Sequence, residues 1–182
     1  MQTMILNLSQ NNAGNLMTYA ENYGTKNVFI EGGGSFVGED GSIALYGNAW
    51  KAYSLETPFG VNGNTHISFE FELIEEAEGH AICVDENTDE DTFGGFQRRC
   101  IALAGTEFTI WNERLVKKIG KVTSGTTLSM TVRIGDMFAE LGHQINYIAF
   151  VQDNDNLPLN GVSRFRNIRL FNVLPVSLLI FI

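Results

Sequence analysis

From Thr65 onward the chain alternates strictly between apolar and polar side chains. Thr65, Ile67, Phe69, Phe71 and Leu73 fall on one face, and His66, Ser68, Glu70 and Glu72 on the other. This is the period-two pattern of a half-buried strand. Leu128, Met130, Val132 and Ile134 repeat it with polar partners between them. Ile145 to Val151 is apolar on both faces, as in a central strand covered on both sides. In Arg164–Phe171 the alternation slips between Phe165 and Ile168, which predicts a β-bulge.

Further strands are predicted near Met4–Leu8, Val28–Glu31, Ser42–Tyr46, Trp50–Leu55, His80–Val84, Phe93–Leu103 and Glu107–Trp111. Gly32-Gly33-Gly34, Gly38-Glu39-Asp40-Gly41 and Asn62-Gly63-Asn64 punctuate them as turns. Only Asn11–Ala20 and Asp136–Leu141 have room for a turn or two of helix. Many short strands at turn-like spacing predict an all-β fold: a β-sandwich (jelly roll) of two antiparallel sheets with little helix. No linker or internal repeat divides the 182 residues, so a single domain over 1–182 is expected.

The formal net charge of −9 changes the list of partners. Duplex binding needs basic clusters, and only Arg98-Arg99 and Lys117-Lys118 approach one, so nucleic acid is not expected. Neutral glycans and divalent cations are compatible with that charge, whereas a strongly anionic polymer needs local compensation. The apolar run Val173 to Ile182 is about half a membrane span, so no membrane is expected as a partner. The opening MQTMILNLSQ lacks the basic and apolar regions of a secretory leader, so either a leader was removed or the chain is a piece of a longer protein. Cys83 and Cys100 flank an acidic loop; a disulfide closing it and two buried thiols are both open readings. So few cysteines, with His66, His80 and His143 scattered, exclude a zinc pattern.

In the acidic loop, Asp85, Asn87, Asp89 and Asp91 place oxygen ligands at alternate positions, the density a calcium ion needs. As an EF-hand it fails, with Glu90 where glycine is required and Phe96 where glutamate is required. A different site would be completed by Asp153, Asn154 and Asp155; a solvated acidic loop is the alternative.

Flat aromatic rings suit the apolar C–H faces of sugars, with nearby polar groups fixing the hydroxyls. Trp50, Tyr53 and Trp111 are the platform candidates, with Phe93 and Phe96 beside the acidic loop and Gln97, Arg98, Asn112 and Glu113 as hydrogen-bonding groups. Trp50 reads better as core. Trp111 falls on the polar face of its expected strand and reads as exposed. Glu70 and Glu72 point the same way, as a retaining glycosidase pair about 5–5.5 Å apart would, but a solvated sheet face shows the same spacing. Neither a nucleophile elbow nor a phosphate loop is present.

Several segments taken in order resemble a carbohydrate-binding module of the galactose-binding-like jelly-roll type, the kind appended to secreted polysaccharide-degrading and adhesion proteins. They are Leu45-Tyr46-Gly47-Asn48-Ala49-Trp50-Lys51, Ile67-Ser68-Phe69-Glu70-Phe71, Gly79-His80-Ala81-Ile82-Cys83-Val84-Asp85 and Thr92-Phe93 with Phe96-Gln97. Ile134-Gly135-Asp136, Tyr147 to Asp155 and Phe165 to Leu170 complete the series, which spans about Asp40 to Asn172. Cys83-Val84 departs from the pattern, where glycine and an aromatic residue are expected. The resemblance implies non-catalytic binding of a polysaccharide or oligosaccharide, often with bound calcium, in a secreted, extracellular setting within a larger multidomain protein. A jelly-roll glycosidase or lyase using Glu70 and Glu72 is the alternative, and a structural or adhesion domain a third.

Overall fold

The computed structural model describes residues 3–6, 8, 15–19, 33–88, 99–110, 119–138, 143–155, 158 and 160–174. Two antiparallel sheets account for nearly all the regular structure. One joins β3 (Gly34–Val37), β4 (Ile43–Tyr46), β11 (Val162–Asn172), β6 (Thr65–Glu75) and β9 (Thr126–Arg133) in that order, with β1 (Thr3–Ile5) also paired to β11. The other runs β2 (Leu16–Thr18), β5 (Ala49–Gly60), β10 (Gln144–Asp153), β7 (Gly79–Asp85) and β8 (Cys100–Ala104). This is the expected two-sheet sandwich.

The alternation read in β6 sets what faces the interior. Ile67, Phe69, Phe71 and Leu73 are buried, while His66, Ser68, Glu70 and Glu72 are partly exposed. Phe165 on β11 forms the hub of the core: its ring centroid lies 5.0 Å from Phe71 and 6.5 Å from Phe69 on its own sheet, and 5.2 Å from Phe150 on the opposite one. Tilted ring pairs at these separations add to the area they bury. Buried polar groups are matched as well. Gln152 Nε2 donates to the carbonyls of Gly47 and Gly161 at 2.8 Å each, and its Oε1 accepts from Ser163 Oγ at 2.8 Å. Leaving such groups unpaired inside a sandwich is costly.

The expected bulge is present. Arg166 pairs with Glu70 and Arg169 with Ser68, so three steps on β11 match two on β6. Asn167 takes up the extra residue with a positive φ of 55°, a conformation its short polar side chain tolerates. The turn at Gly38–Gly41 is also as read: Asp40 Oδ1 accepts from the Ser42 amide and hydroxyl, and Gly41 adopts a φ of 74°.

Three expectations are corrected. The described part of Glu107–Trp111, residues 107–110, is not a strand: after Gly105 (φ 123°) the chain turns back, with the Thr106 and Glu107 amides bonded to the carbonyls of Ala77 and Glu78, and residues 108–110 are helical. Residues 16–18 are a strand instead of helix because the edge of β5 offers them a partner, Leu16 opposite Tyr53. Gly34, read as part of a turn, instead opens a strand over Gly34–Val37 that pairs with β4. Asp136–Leu141 supplies only a 3-10 turn over Gly135–Met137 within the described residues, and the strand expected at Val28–Glu31 lies outside them.

Candidate functional site

The sequence-derived aromatic candidates separate sharply. Trp50 is 6% exposed and Tyr53 5% exposed, so neither offers a ring face to solvent. They point to opposite faces of β5: Tyr53 joins the central core, whereas Trp50 belongs to a second apolar cluster on the outward face of the five-stranded sheet. Trp111, Phe93, Phe96, Gln97, Arg98, Asn112 and Glu113 lie outside the described residues. The alternation that assigned Trp111 a face does not hold in the described part of its segment, where residues 108–110 are helical.

That second cluster has a floor of Ala52, Ala81, Ala102 and Ala149 and the Cys83–Cys100 disulfide, which joins directly opposed residues of β7 and β8 with Cα atoms 4.0 Å apart. Tyr19 lies fully buried on this floor, and its hydroxyl donates to Asp85 Oδ2 at 2.5 Å. Arg99 completes the arrangement, donating to Asp85 Oδ1 at 2.9 Å and Glu86 Oε2 at 3.0 Å, with its guanidinium 5.1 Å from the Phe138 ring centroid. The Asp85 carboxylate is therefore engaged by a phenol and a guanidinium, both donors that occupy its lone pairs.

Among the described residues the expected calcium ligands do not all converge. In the β7–β10 register Asp85 stands opposite Tyr147 and Asp153 opposite Gly79, which places the two aspartates at opposite ends of the strand pair, about 20 Å apart. Asp153 and Asp155 therefore cannot complete a site begun at Asp85, which corrects that part of the expectation. Asn87 is exposed, and Asp89 and Asp91 lie outside the described residues. Among the described residues no three His, Cys, Asp or Glu side chains are grouped so as to hold a metal ion. At its own end Asp153 is mostly buried. That burial, followed by the nearby charges of Asp155 and Glu78, pushes its carboxyl up to about 7, while a hydrogen bond with Trp50 works the other way.

The six-stranded sheet presents the opposite kind of face, open and polar. Because Ile67, Leu170 and Val132 share an inward row, their neighbours point outward: His66, Phe171 and Arg133 in one row, Ser68, Arg169 and Thr131 in the next. Between these rows and the bulge lies an open trough of about 300 Å³, with a polar lining of Ser68, Glu70, Ser129, Thr131, Asn167 and Arg169. His66 and Phe171 stack at 5.5 Å with an interplanar angle of 15° at its end. Across the sheet, Phe36 and Tyr46 stand 60% and 51% exposed on β3 and β4. Each ring is opposed by a small residue, Phe36 by Ala44 and Tyr46 by Gly34. A β-carbon on Gly34 would sit 2.3 Å from the Tyr46 hydroxyl, so the phenol lies flat across the backbone there.

Glu70 and Glu72 sit on this face, each with a cationic partner. Arg166 Nε donates to Glu70 Oε2 at 2.6 Å and Asn167 Nδ2 to Oε1 at 2.8 Å, while Arg164 Nη1 donates to Glu72 Oε2 at 3.2 Å. Hydrogen bonds from Asn167 and then Arg166 hold the Glu70 carboxyl below the usual carboxylate range. A general acid needs the reverse shift.

Phe36 and Tyr46 were missed by the sequence reading, although the signal was available. With a turn at Gly38–Gly41 and Ile43 and Leu45 inward, a hairpin necessarily puts Ala44, Tyr46 and Phe36 on the outer face. Arg164, Arg166 and Arg169 were likewise on the strand whose slip was recognised, but their shared face follows only once the bulge is counted.

No family model matches the chain, and no curated protein matches it. Among solved structures it is similar to a family 11 carbohydrate-binding module from Clostridium thermocellum, in complex with a β-1,3-1,4-mixed-linked tetrasaccharide. The TM-score is 0.48 at 15% identity, covering 94% of this chain and 96% of that one. It is also similar to two mutants of family 29 carbohydrate-binding modules, each with a TM-score of 0.42. Their identities are 11% and 12%, over 93% and 92% of this chain and 91% of each of those chains.

Proposed function

We propose that this protein is a non-catalytic carbohydrate-binding module whose ligand lies across the outward face of the six-stranded sheet. The observation that carries this reading is the pairing on one face of exposed rings, Phe36 and Tyr46, with the open polar trough along β6, β9 and β11. Sugars present apolar ring faces edged by hydroxyls, so a site for them combines flat rings with fixed donors and acceptors. Rigid strands hold both kinds of group here, which limits the ordering cost of binding. The ion-paired state of Glu70 and Glu72 supports a binding role over hydrolysis. The Cys83–Cys100 disulfide is consistent with work outside the cell. Among the described residues no helix is long and apolar enough to cross a membrane.

The test is affinity electrophoresis against soluble polysaccharides, for wild type and for Phe36→Ala with Tyr46→Ala. Retention by at least one polysaccharide, lost in the double variant while the unfolding midpoint is kept, is the expected result. Retention unchanged by the double variant would overturn this placement of the site.

A further inference from the structure

The charge distribution on the same face narrows the ligand class. The chain as a whole is acidic, at −9, yet its outward six-stranded face collects four of its arginines: Arg133 on β9 and Arg164, Arg166 and Arg169 on β11. Two of these are committed, Arg164 to Glu72 and Arg166 to Glu70, and Asp40 adds its charge beside both. Arg133 and Arg169 form no ion pair among the described residues, and both are exposed. Arg169 lines the trough itself, and Arg133 lies diagonally across β6 from it, beside His66, about 12 Å away by strand and residue spacing.

A neutral sugar chain needs no unpaired guanidinium, and an acidic protein repels a polyanion unless it offers local positive charge. The face offers it at two spaced points, Arg169 in the trough and Arg133 beside it. The trough also holds the hydroxyls of Ser68, Ser129 and Thr131 and the Asn167 side chain, and the charge of its one carboxylate, Glu70, is offset by Arg166. We infer that the ligand is a carboxylate-bearing polysaccharide, a chain of uronic acid residues, with Arg169 and Arg133 pairing carboxylates spaced along it and the serine, threonine and asparagine groups meeting the hydroxyls. Guanidinium recognises a carboxylate through two parallel hydrogen bonds, and the bulge at Asn167 turns Arg169 onto the Ser68 row where such contact is possible. This inference rests on the carbohydrate-binding reading of the same face.

The experiment measures retention by polygalacturonate, by the same polymer after carboxyl reduction, by a neutral mixed-linkage glucan and by dextran sulfate. Wild type is compared with Arg169→Ala and Arg169→Lys, with circular dichroism as the control for folding. The expected result is retention by polygalacturonate alone, weakened about tenfold or more in Arg169→Ala and falling with added salt. Arg169→Lys keeps the charge without the planar fork and should recover only part of the loss. Equal retention by the carboxyl-reduced polymer or the neutral glucan would overturn the uronate inference while leaving the carbohydrate reading standing. Equal retention by dextran sulfate would reduce the face to a general polyanion surface and overturn the inference. No retention by any polysaccharide would overturn both.

Discussion

Arg166 grips Glu70 through its Nε at 2.6 Å, and the residue that follows it, the bulged Asn167, closes on the other carboxylate oxygen. A bulge that looks like a local irregularity thus fixes a carboxylate from two sides and keeps it ionised, the opposite of what a general acid needs. Glu70→Gln should therefore leave no catalytic phenotype, because reducing-sugar release is expected to be absent in wild type and variant alike. Turnover in the wild type that the substitution abolishes would contradict the binding account. Since the pair is open to solvent on one side, the urea midpoint should change little.

Phe165 joins the two sheets through Phe69, Phe71 and Phe150. Truncating it removes contacts on both sides of the core at once. Phe165→Ala should cost about 3–5 kcal/mol in urea unfolding, and a loss below about 1 kcal/mol would show that the sheets do not depend on this hub.

Asp153 and His80 pull the pH dependence of stability in opposite directions. Burial first, then Asp155 and Glu78, raises Asp153 from 3.8 to about 7. Through that window the folded state keeps a proton the unfolded chain has lost, so stability falls as pH rises. Burial first, then Lys121, lowers His80 from 6.5 to about 3, with Nε2 accepting from the Ala77 amide at 2.9 Å. Through that window the unfolded chain holds the extra proton, so stability rises with pH. The slopes offset each other between about pH 4 and 6.5. Asp153→Asn should expose the His80 slope, its urea midpoint climbing across that range, and His80→Gln should show the reverse. A flat profile in Asp153→Asn would contradict the assignment.

The fold was largely legible because one face of each long strand must be dry. The alternation of Thr65–Leu73 gave β6, and the slip between Phe165 and Ile168 located the bulge to within a residue. What local pattern could not reveal was pairing. Leu16–Thr18 reads as helix until the β5 edge is known, and Glu107–Trp111 reads as a strand until Gly105 turns the chain back onto Ala77 and Glu78. The site was less legible for the same reason. Trp50 is buried, as its core reading expected, and Tyr53 is buried on the other side of β5, whereas the exposure of Phe36 and Tyr46 follows from a hairpin register. The disulfide, open between two readings in the sequence, is set by Cys83 and Cys100 falling directly opposite in the β7–β8 ladder.

The most direct measurement of the central claim is amide shift mapping by NMR during titration with a polysaccharide fragment that the protein retains. The account predicts perturbations concentrated on β3, β4, β6, β9 and β11, strongest near Phe36, Tyr46, Ser68, Asn167 and Arg169, with the Trp50 indole unmoved. Perturbations centred on Trp50, Ala149 and the Cys83–Cys100 floor, with the six-stranded face silent, would contradict it.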